Sequence, residues 1–484
     1  MRLLSSLKIA TLLLLLLLAF SSNGQSQSRE LGSQLPNLGD AGGGALSPAE
    51  EQQLAQKFMR AVRQSFTLLD DPLANSYLQD LADRLLSQLS GHNQDISVFI
   101  IDDPTINAFA GPGGHIGIHT GLILTARTEG ELASVLAHEI AHVVQRHLMR
   151  RFETGKRQSL QNMGALIAAI LLGGSNSQAT EAILTSTVAG SIEQQLAYSR
   201  SHEQEADRIG LELLASADYD PRDMVSFFSI LQKQQRIGQS KAPEFVRTHP
   251  LTTSRIADTT DRALRYPQQT YAQGPLYQVI QARIATFAKQ DSTALSTFRK
   301  RIELSQTTHE TRQYAQALTA MKKRHYNESR ASLAPLLAAN PLRLHYHYTA
   351  AEIELADNKA ARAEEILQAI LRLYPGNLSL TELYARTLLE LNRPDEAYRL
   401  LKEALRHTGI QAPLYQLYAQ TAIASGNSSE AYRSLAELEH SRGNTHQAID
   451  YLEHALKDKT LTEFEKLSLE SQLKMLKTEI DTKE

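Results

Sequence analysis

Small residues recur every 34 positions through the C-terminal part of the chain, at Ala317, Ala351, Ala385 and Ala419. A second comb stands twelve residues behind the first, at Ser329, Ala363, Ala397 and Ala431. Turn-forming residues hold the same phase at Pro341, Pro375, Gly409 and Gly443. A fixed period of this length makes each unit one supersecondary element that buries its apolar face only against its neighbours. No strand pattern remains from about Tyr277 onwards, so the unit is a pair of helices whose small residues allow close approach. The phase breaks after Ala431: Ala448 follows only 17 residues later, half a period, which predicts a partial repeat or a cap.

Thirty-four residues is the period of the tetratricopeptide helix–turn–helix repeat, and stacked pairs of that kind form a concave surface for peptides or partner proteins. Such repeats account for only part of 484 residues, a length that suggests about two or three domains. The charge is balanced, with 50 basic against 53 acidic side chains, so the chain has no global field to draw nucleic acid and a general DNA or RNA binder is excluded. Cysteine is absent, which removes disulfides, thiol catalysis, thiolate zinc sites and a lipid-anchored N-terminal cysteine.

Met1 to Gly24 reads as a cleaved secretory signal. Arg2 and Lys8 precede a short apolar run with seven consecutive leucines, followed by Ser21, Ser22, Asn23 and Gly24. The run falls short of the roughly 20 residues a spanning helix needs. Gln25 to Leu46 is a flexible leader rich in Gly, Ser, Gln and Asn. Order is expected from Ser47, where Ser47-Pro48-Ala49-Glu50 combines an N-cap, a first-turn proline and a capping-box glutamate. Helices to about Phe66 and from Pro72 to about Leu89 are followed by β segments at Ile96 to Ile101 and Asn107 to Ile123. Thr128-Glu129-Gly130-Glu131 opens a long helix to about Phe152. Met163 to Gly174 is apolar but too short to span a bilayer, and reads as a buried helix or one in peripheral contact with a membrane.

The sharpest chemical signal is His138-Glu139-Ile140-Ala141-His142, within that long helix. Spacing i, i+4 sets both imidazoles on one helix face, suited to two nitrogen ligands of one zinc ion, with Glu139 beside them to take a proton from water. A hydrolytic zinc has three protein ligands and one open position. A third histidine at the metzincin position is missing, since Gln145 and Leu148 stand where glycine and histidine are needed; His147 is one residue off and reads as surface or supporting. The third ligand is then a carboxylate from another helix. Glu203 and Asp207, one turn apart in Tyr198 to Asp207, supply it: one binds metal, the other supports the site or assists proton transfer. Glu205 lies two residues from Glu203, faces elsewhere and is expected in solvent. His115 and His119 read as ordinary strand residues, and the segment His115 to Ile118 could take an extended substrate by strand addition.

His138-Glu139-x-x-His142 followed by Ser199-Arg200-x-x-Glu203-x-x-x-Asp207 resembles the zinc metallopeptidases that include the HtpX-type, the mitochondrial inner-membrane stress and the CAAX prenyl proteases. Asn107-Ala108-Phe109-Ala110, Pro112-Gly113-Gly114 and Gly121-Leu122 resemble the strand region of the same group. Together with the export signal and the repeats, the chain is similar to the β-barrel assembly-enhancing proteases of Gram-negative periplasms. That resemblance implies a mainly α protein: a gluzincin-type α+β metallopeptidase domain with a small β-sheet, followed by an α-solenoid of tetratricopeptide repeats. It implies one zinc per chain held by His138, His142 and Glu203, with Glu139 as catalytic base and Asp207 as a candidate proton donor. Asp207 fits a supporting role equally well by spacing.

The resemblance also makes His249, in Thr248-His249-Pro250-Leu251, a candidate fourth zinc ligand that displaces water and keeps the enzyme latent; a structural His-Pro helix start in contact with Arg255 is the alternative. The implied substrates are unfolded or stalled outer-membrane proteins. The implied partners are the outer-membrane β-barrel assembly complex and the lipopolysaccharide-transport barrel, in the periplasm. The expected division is a signal peptide (1–24), leader (25–46), metallopeptidase domain (47–264), helical connector (265–308) and repeat domain (309–484). The competing function is a non-proteolytic scaffold or holdase with a structural zinc.

Overall fold

The computed structural model describes residues 47–89, 95–154, 199–237, 243–267, 276–289, 293–304, 306–406 and 412–481. The expected signal peptide, the leader and the apolar stretch 163–174 lie outside the described residues. Helix α1 (Pro48–Ser65) begins in the expected capping box: the Ser47 N–H donates to the Glu50 carboxylate at 2.7 Å, and the Ser47 hydroxyl accepts from the Glu50 N–H at 3.3 Å. Helix α2 (Pro72–Leu86) is capped by Asp71, which accepts from the Ala74 N–H at 2.9 Å.

Three short strands follow: β1 (Ser97–Ile101), β2 (Ala108–Ala110) and β3 (His115–His119), in the order β1-β3-β2. β1 and β3 are parallel, with Val98 opposite Ile116; β2 and β3 are antiparallel, with Phe109 opposite Gly117. β3 is therefore the central strand, and both its hydrogen-bonding edges are used. A substrate strand cannot pair with His115 to Ile118, so that expectation is corrected. The free side of β1 is closed in turn by 67–69, where Leu69 N–H donates to Ile100 O and Asp102 N–H to Thr67 O. β2 is the remaining edge.

After α3 (Thr120–Thr125), helix α4 (Glu129–Val144) starts at Thr128, whose hydroxyl accepts from the Glu131 N–H, while Glu131 accepts from the Arg127 N–H. The long helix expected to Phe152 is broken. Arg146 takes a left-handed φ of 51°, and a separate α5 (His147–Thr154) begins at the next residue. Helices α6 (Arg200–Ser216), α7 (Arg222–Ile237), α8 (Glu244–Thr248) and α9 (Thr253–Leu264) follow in the N-terminal part.

Helices α10 (Leu276–Phe287) and α11 (Thr293–Glu303) lead into the repeats. These are α12 (His309–Lys322) with α13 (Tyr326–Ala339), α14 (Leu344–Ala356) with α15 (Ala360–Leu373), α16 (Leu378–Glu390) with α17 (Pro394–Leu405), and α18 (Ala412–Ala424) with α19 (Ser428–Ser441). All eight comb residues from Ala317 to Ala431 are buried, on the first helix of each pair for one comb and the second for the other. In the first pair the Ser329 hydroxyl donates to Ala317 O at 2.7 Å, the approach a small side chain permits. The array ends in α20 (Thr445–Ala455) and α21 (Glu463–Asp481), with Ala448 fully buried between them and the last repeat. No helix among the described residues is long and apolar enough to cross a membrane.

One apolar cluster runs from Leu69 through the sheet, α4, α6 and α7 to Tyr314 and Tyr346 of the first repeats. Arg283 of α10 pins the junction. Its guanidinium donates to Asp71 at 2.7–2.8 Å and to both carboxylate oxygens of Glu352, in α14, at 2.8 Å, and it is only 2% exposed. Breaking either pair would strand a buried charge, at a cost of about 3–5 kcal/mol. The far end of the array also touches the N-terminal part. Arg60 of α1 donates to the carbonyls of Arg442 and Gly443 in the turn before α20. Gly443 has φ of 78°, a left-handed conformation that favours glycine.

Candidate metal centre

α4 is buried along almost its whole length, and it carries His138, Glu139 and His142 into the core. α6 crosses it closely. Gly210 faces the α4 backbone at the crossing: a β-carbon there would stand 3.4 Å from the His138 backbone nitrogen, an ordinary contact, and 2.9 Å from Met224 Cε of α7. The close crossing brings Glu203 and Asp207, one turn apart on α6, against the two histidines.

His138, His142, Glu203 and His249 each offer one ligand atom, and all four atoms lie within 4.8 Å of one another. His138 Nε2 is 3.0 Å from His142 Nε2 and 3.3 Å from His249 Nδ1. Glu203 Oε1 is 3.1 Å from His249 Nδ1 and 3.5 Å from His142 Nε2. Donors held about 2.0–2.1 Å from a tetrahedral zinc stand roughly 3.3 Å apart, so the spacing fits.

The chemistry of the donors fits as well. His138 Nδ1 lies 3.0 Å from Asp207 Oδ1, so its proton belongs on Nδ1 and its Nε2 lone pair turns towards the other donors. Converging lone pairs repel unless a cation lies between them. Without a metal, a proton answers the same demand: burial pulls His138 down, but Asp207 and Glu203 hold its pKa up at about 9. Burial takes neighbouring His142 down to about 3. Burial alone would raise the Glu203 carboxyl, yet the imidazoles of His249, His138 and His142 keep it well below the usual carboxylate range. These residues could therefore hold a divalent metal.

Glu139 is fully buried beside the cluster, its Oε1 3.5 Å from His249 Nε2. Neither of its carboxylate oxygens has a hydrogen-bond partner among the described residues, and burial raises its pKa. A shallow cleft lined by Ala110, Gly113, Arg146 and Met149 reaches His142 from the side of β2.

Asp207 faces away from this cleft chemistry. Arg255 donates to both of its oxygens at 2.8 Å, and Oδ1 also meets His138. Its contacts support holding His138 rather than donating a proton. His249 closes α8. Its N–H donates to Phe245 O at 2.8 Å, and its ring stacks on Phe245 at 4.7 Å. The contact between Arg255 and the His-Pro segment is present too, as a hydrogen bond to Pro250 O at 3.0 Å.

His115 and His119 stand outside the cluster, hydrogen-bonded to Ser97 and Thr105. One expectation narrows and one changes. His147 is fully buried beside His142, which leaves the supporting one of its two readings, and Glu205 is not free in solvent but paired with His147 and Arg150 at 3.1 Å. Arg255, expected only in contact with the His-Pro segment, also stands 2.5 Å from Glu203 and is tied to Asp207; its spacing to those carboxylates carries no sequence signal.

The profile of Peptidase family M48 matches residues 72–263, and tetratricopeptide-repeat profiles match 314–377 and 354–409. The chain is 34% identical over 369 residues to the Beta-barrel assembly-enhancing protease of Escherichia coli (strain K12), an alignment covering 76% of this chain and 75% of that one. It is 37% identical over 311 residues to the Putative beta-barrel assembly-enhancing protease of Vibrio cholerae, covering 64% of each. A shorter similarity, 32% over 184 residues, reaches the mitochondrial metalloendopeptidase OMA1 of Bos taurus, over 36% of this chain and 34% of that one. The peptidase match spans all four donors and Glu139, and the repeat matches fall where the helix pairs stack. The chain thus belongs to the β-barrel assembly-enhancing protease family, as a metalloprotease that joins an M48 peptidase unit to C-terminal tetratricopeptide repeats.

Proposed function

We propose that this chain is an exported, periplasmic zinc endopeptidase for quality control of outer-membrane β-barrel proteins, with 47–264 as catalytic domain, 265–308 as connector and 309–484 as repeat domain. The observation that carries the reading is the convergence of His138, His142 and Glu203 beside a fully buried Glu139. When bound, zinc supplies Lewis-acid activation of water and of the peptide carbonyl. Glu139 takes the proton of the attacking water and returns it to the leaving amine. Asp207 holds the His138 ring with its lone pair inwards. The β2 edge, beside the cleft that reaches His142, would bind an extended peptide through its backbone, which suits an unfolded or stalled chain. The repeats would dock on the outer-membrane β-barrel assembly complex and on client barrels such as the lipopolysaccharide-transport barrel, in line with the name of the relatives. The full chain should cleave an unfolded outer-membrane barrel protein and spare the folded form. A chelator should stop cleavage and zinc should restore it; cleavage indifferent to chelation would sink the reading.

One observation favours a second reading. With His249 the cluster offers four protein donors, the number typical of a structural zinc, as a scaffold or holdase would have. We read His249 as a cap on an otherwise open position. His249→Ala is then expected to keep zinc and to raise basal proteolysis several-fold. Unchanged or lower proteolysis would count against the cap and for a structural metal.

A further inference from the structure

The two histidines of α4 are not held alike. His138 presents Nδ1 to a carboxylate, Asp207, which Arg255 anchors. His142 turns its Nδ1 towards another imidazole. This Nδ1 lies 2.9 Å from Nδ1 of His147, and His147 Nε2 lies 3.1 Å from Glu205 Oε2. Arg150 donates to that same carboxylate at 3.1 Å. The His147 ring is fully buried and stacks flat on His202, 4.4 Å between centroids and 13° between planes.

We propose that His147 and Glu205 are positioning residues that fix the His142 tautomer for metal binding. The inference rests on the reading of His142 as a metal ligand. If Nε2 of His142 gives its lone pair to the metal, its single proton sits on Nδ1 and must be donated. The atom that receives it is His147 Nδ1, which therefore carries no proton. The one proton of a neutral His147 is then on Nε2, directed at Glu205. Each hydrogen bond sets the direction of the next, and the chain ends on a carboxylate held by Arg150. α6 thus serves the metal three times at alternate positions: Glu203 as ligand, Glu205 through His147 to His142, and Asp207 directly to His138. The left-handed turn at Arg146 makes the second arm. In an unbroken helix, five residues would set His147 about 140° round from His142; the turn swings α5 back so that the rings meet. Groups that orient a ligating imidazole typically contribute 10–100-fold to metal affinity.

The test measures zinc affinity of the full chain by competition with a chromophoric chelator, and the visible spectrum of the cobalt-loaded protein. His147→Asn keeps an acceptor near the Nδ1 position; His147→Gln moves its amide out to the Nε2 position and leaves the His142 proton without an acceptor. Affinity should fall about 10–100-fold in His147→Gln, with an altered cobalt spectrum, and stay within a few-fold of the parent in His147→Asn. A role confined to packing would not separate the two. Equal affinities in the parent and both variants, or equal losses in both variants, would overturn the proposal. His142→Ala serves as reference. Loss of binding there with no effect at His147 overturns this inference alone, whereas retained binding in His142→Ala overturns the ligand assignment beneath it. Circular dichroism confirms that each variant is folded. Should His147→Gln fail to fold, Glu205→Gln replaces it: it turns the terminal carboxylate into an amide, should lower affinity, and overturns the proposal if it does not.

Discussion

Glu139→Gln is expected to lower proteolysis by about 10²–10⁴-fold, the range for loss of a positioned general base, while one zinc per chain stays bound. The amide has almost the shape of the carboxylate, and the donor set of His138, His142, Glu203 and His249 does not include residue 139. Metal content should not change. The same substitution carries a stability signature. Burial raises the Glu139 carboxyl above its ordinary range, an effect that His249 and His138 oppose only in part. A carboxyl raised in the folded state contributes stability that is fully present in acid and lost as pH rises through the raised value. Above that raised value the metal-free parent bears a buried charge that the variant lacks. Metal-free Glu139→Gln should melt at or above the parent at neutral pH, and the gap should close in acid. Titration with zinc, a protease assay and thermal melts check the three statements. Undiminished cleavage by the zinc-loaded variant would remove Glu139 from the mechanism.

What could be read from the residues was what depends on short, regular spacing. The i, i+4 histidines, the i, i+4 carboxylates and the 34-residue combs each lie within one helix or one repeat, where geometry follows from sequence distance. They appear in the fold as pairs of rings, a pair of acids on one face and buried contacts between helices. What escaped depends on how elements meet. β3 follows β2 in the chain but sits between β2 and β1, and strand order is not written in alternation. Arg146 has no glycine-like signature, so the break between α4 and α5 was read as continuous helix, and His147 was left open between a surface and a supporting place. Glu205 was assigned to solvent by its angle on α6; that angle is correct, but α5 occupies the space it points into. Arg255 lies 48 residues from Asp207 in sequence and reaches it only because α9 packs along α6.

Glu203→Ala is expected to have two separable effects, and Arg255 is the reason. As a proposed ligand, Glu203 brings a negative charge to two imidazoles of the site at 3.1–3.5 Å, so its removal should weaken zinc by more than the 10–100-fold typical of outer groups. The second effect needs no metal. Arg255 NH1 sits 2.5 Å from Glu203, both groups are buried, and Asp207 alone cannot occupy the whole guanidinium. Deleting Glu203 removes one of the two carboxylates facing that guanidinium while Asp207 stays, so the loss should fall short of the about 3–5 kcal/mol typical of a buried charge left wholly unpaired. If the metal were the sole reason for Glu203, the chelated parent and Glu203→Ala would melt together. The arrangement instead predicts that the variant melts lower even against the chelated parent. The pH dependence has a definite sign. Burial pushes the Glu203 carboxyl up, but His249, His138 and His142 together hold it well below the ordinary range. A depressed carboxyl stabilises the fold above its unfolded pKa and loses that contribution as pH falls through the folded value. The difference between chelated parent and variant should therefore be full at neutral pH and shrink only in strong acid. Glu203→Gln separates the roles further: it keeps a polar group of the same shape facing Arg255, so it should recover part of the stability without recovering zinc. Parent-like zinc affinity in Glu203→Ala would remove the third ligand, and with it the reason that α6 is held so close to α4.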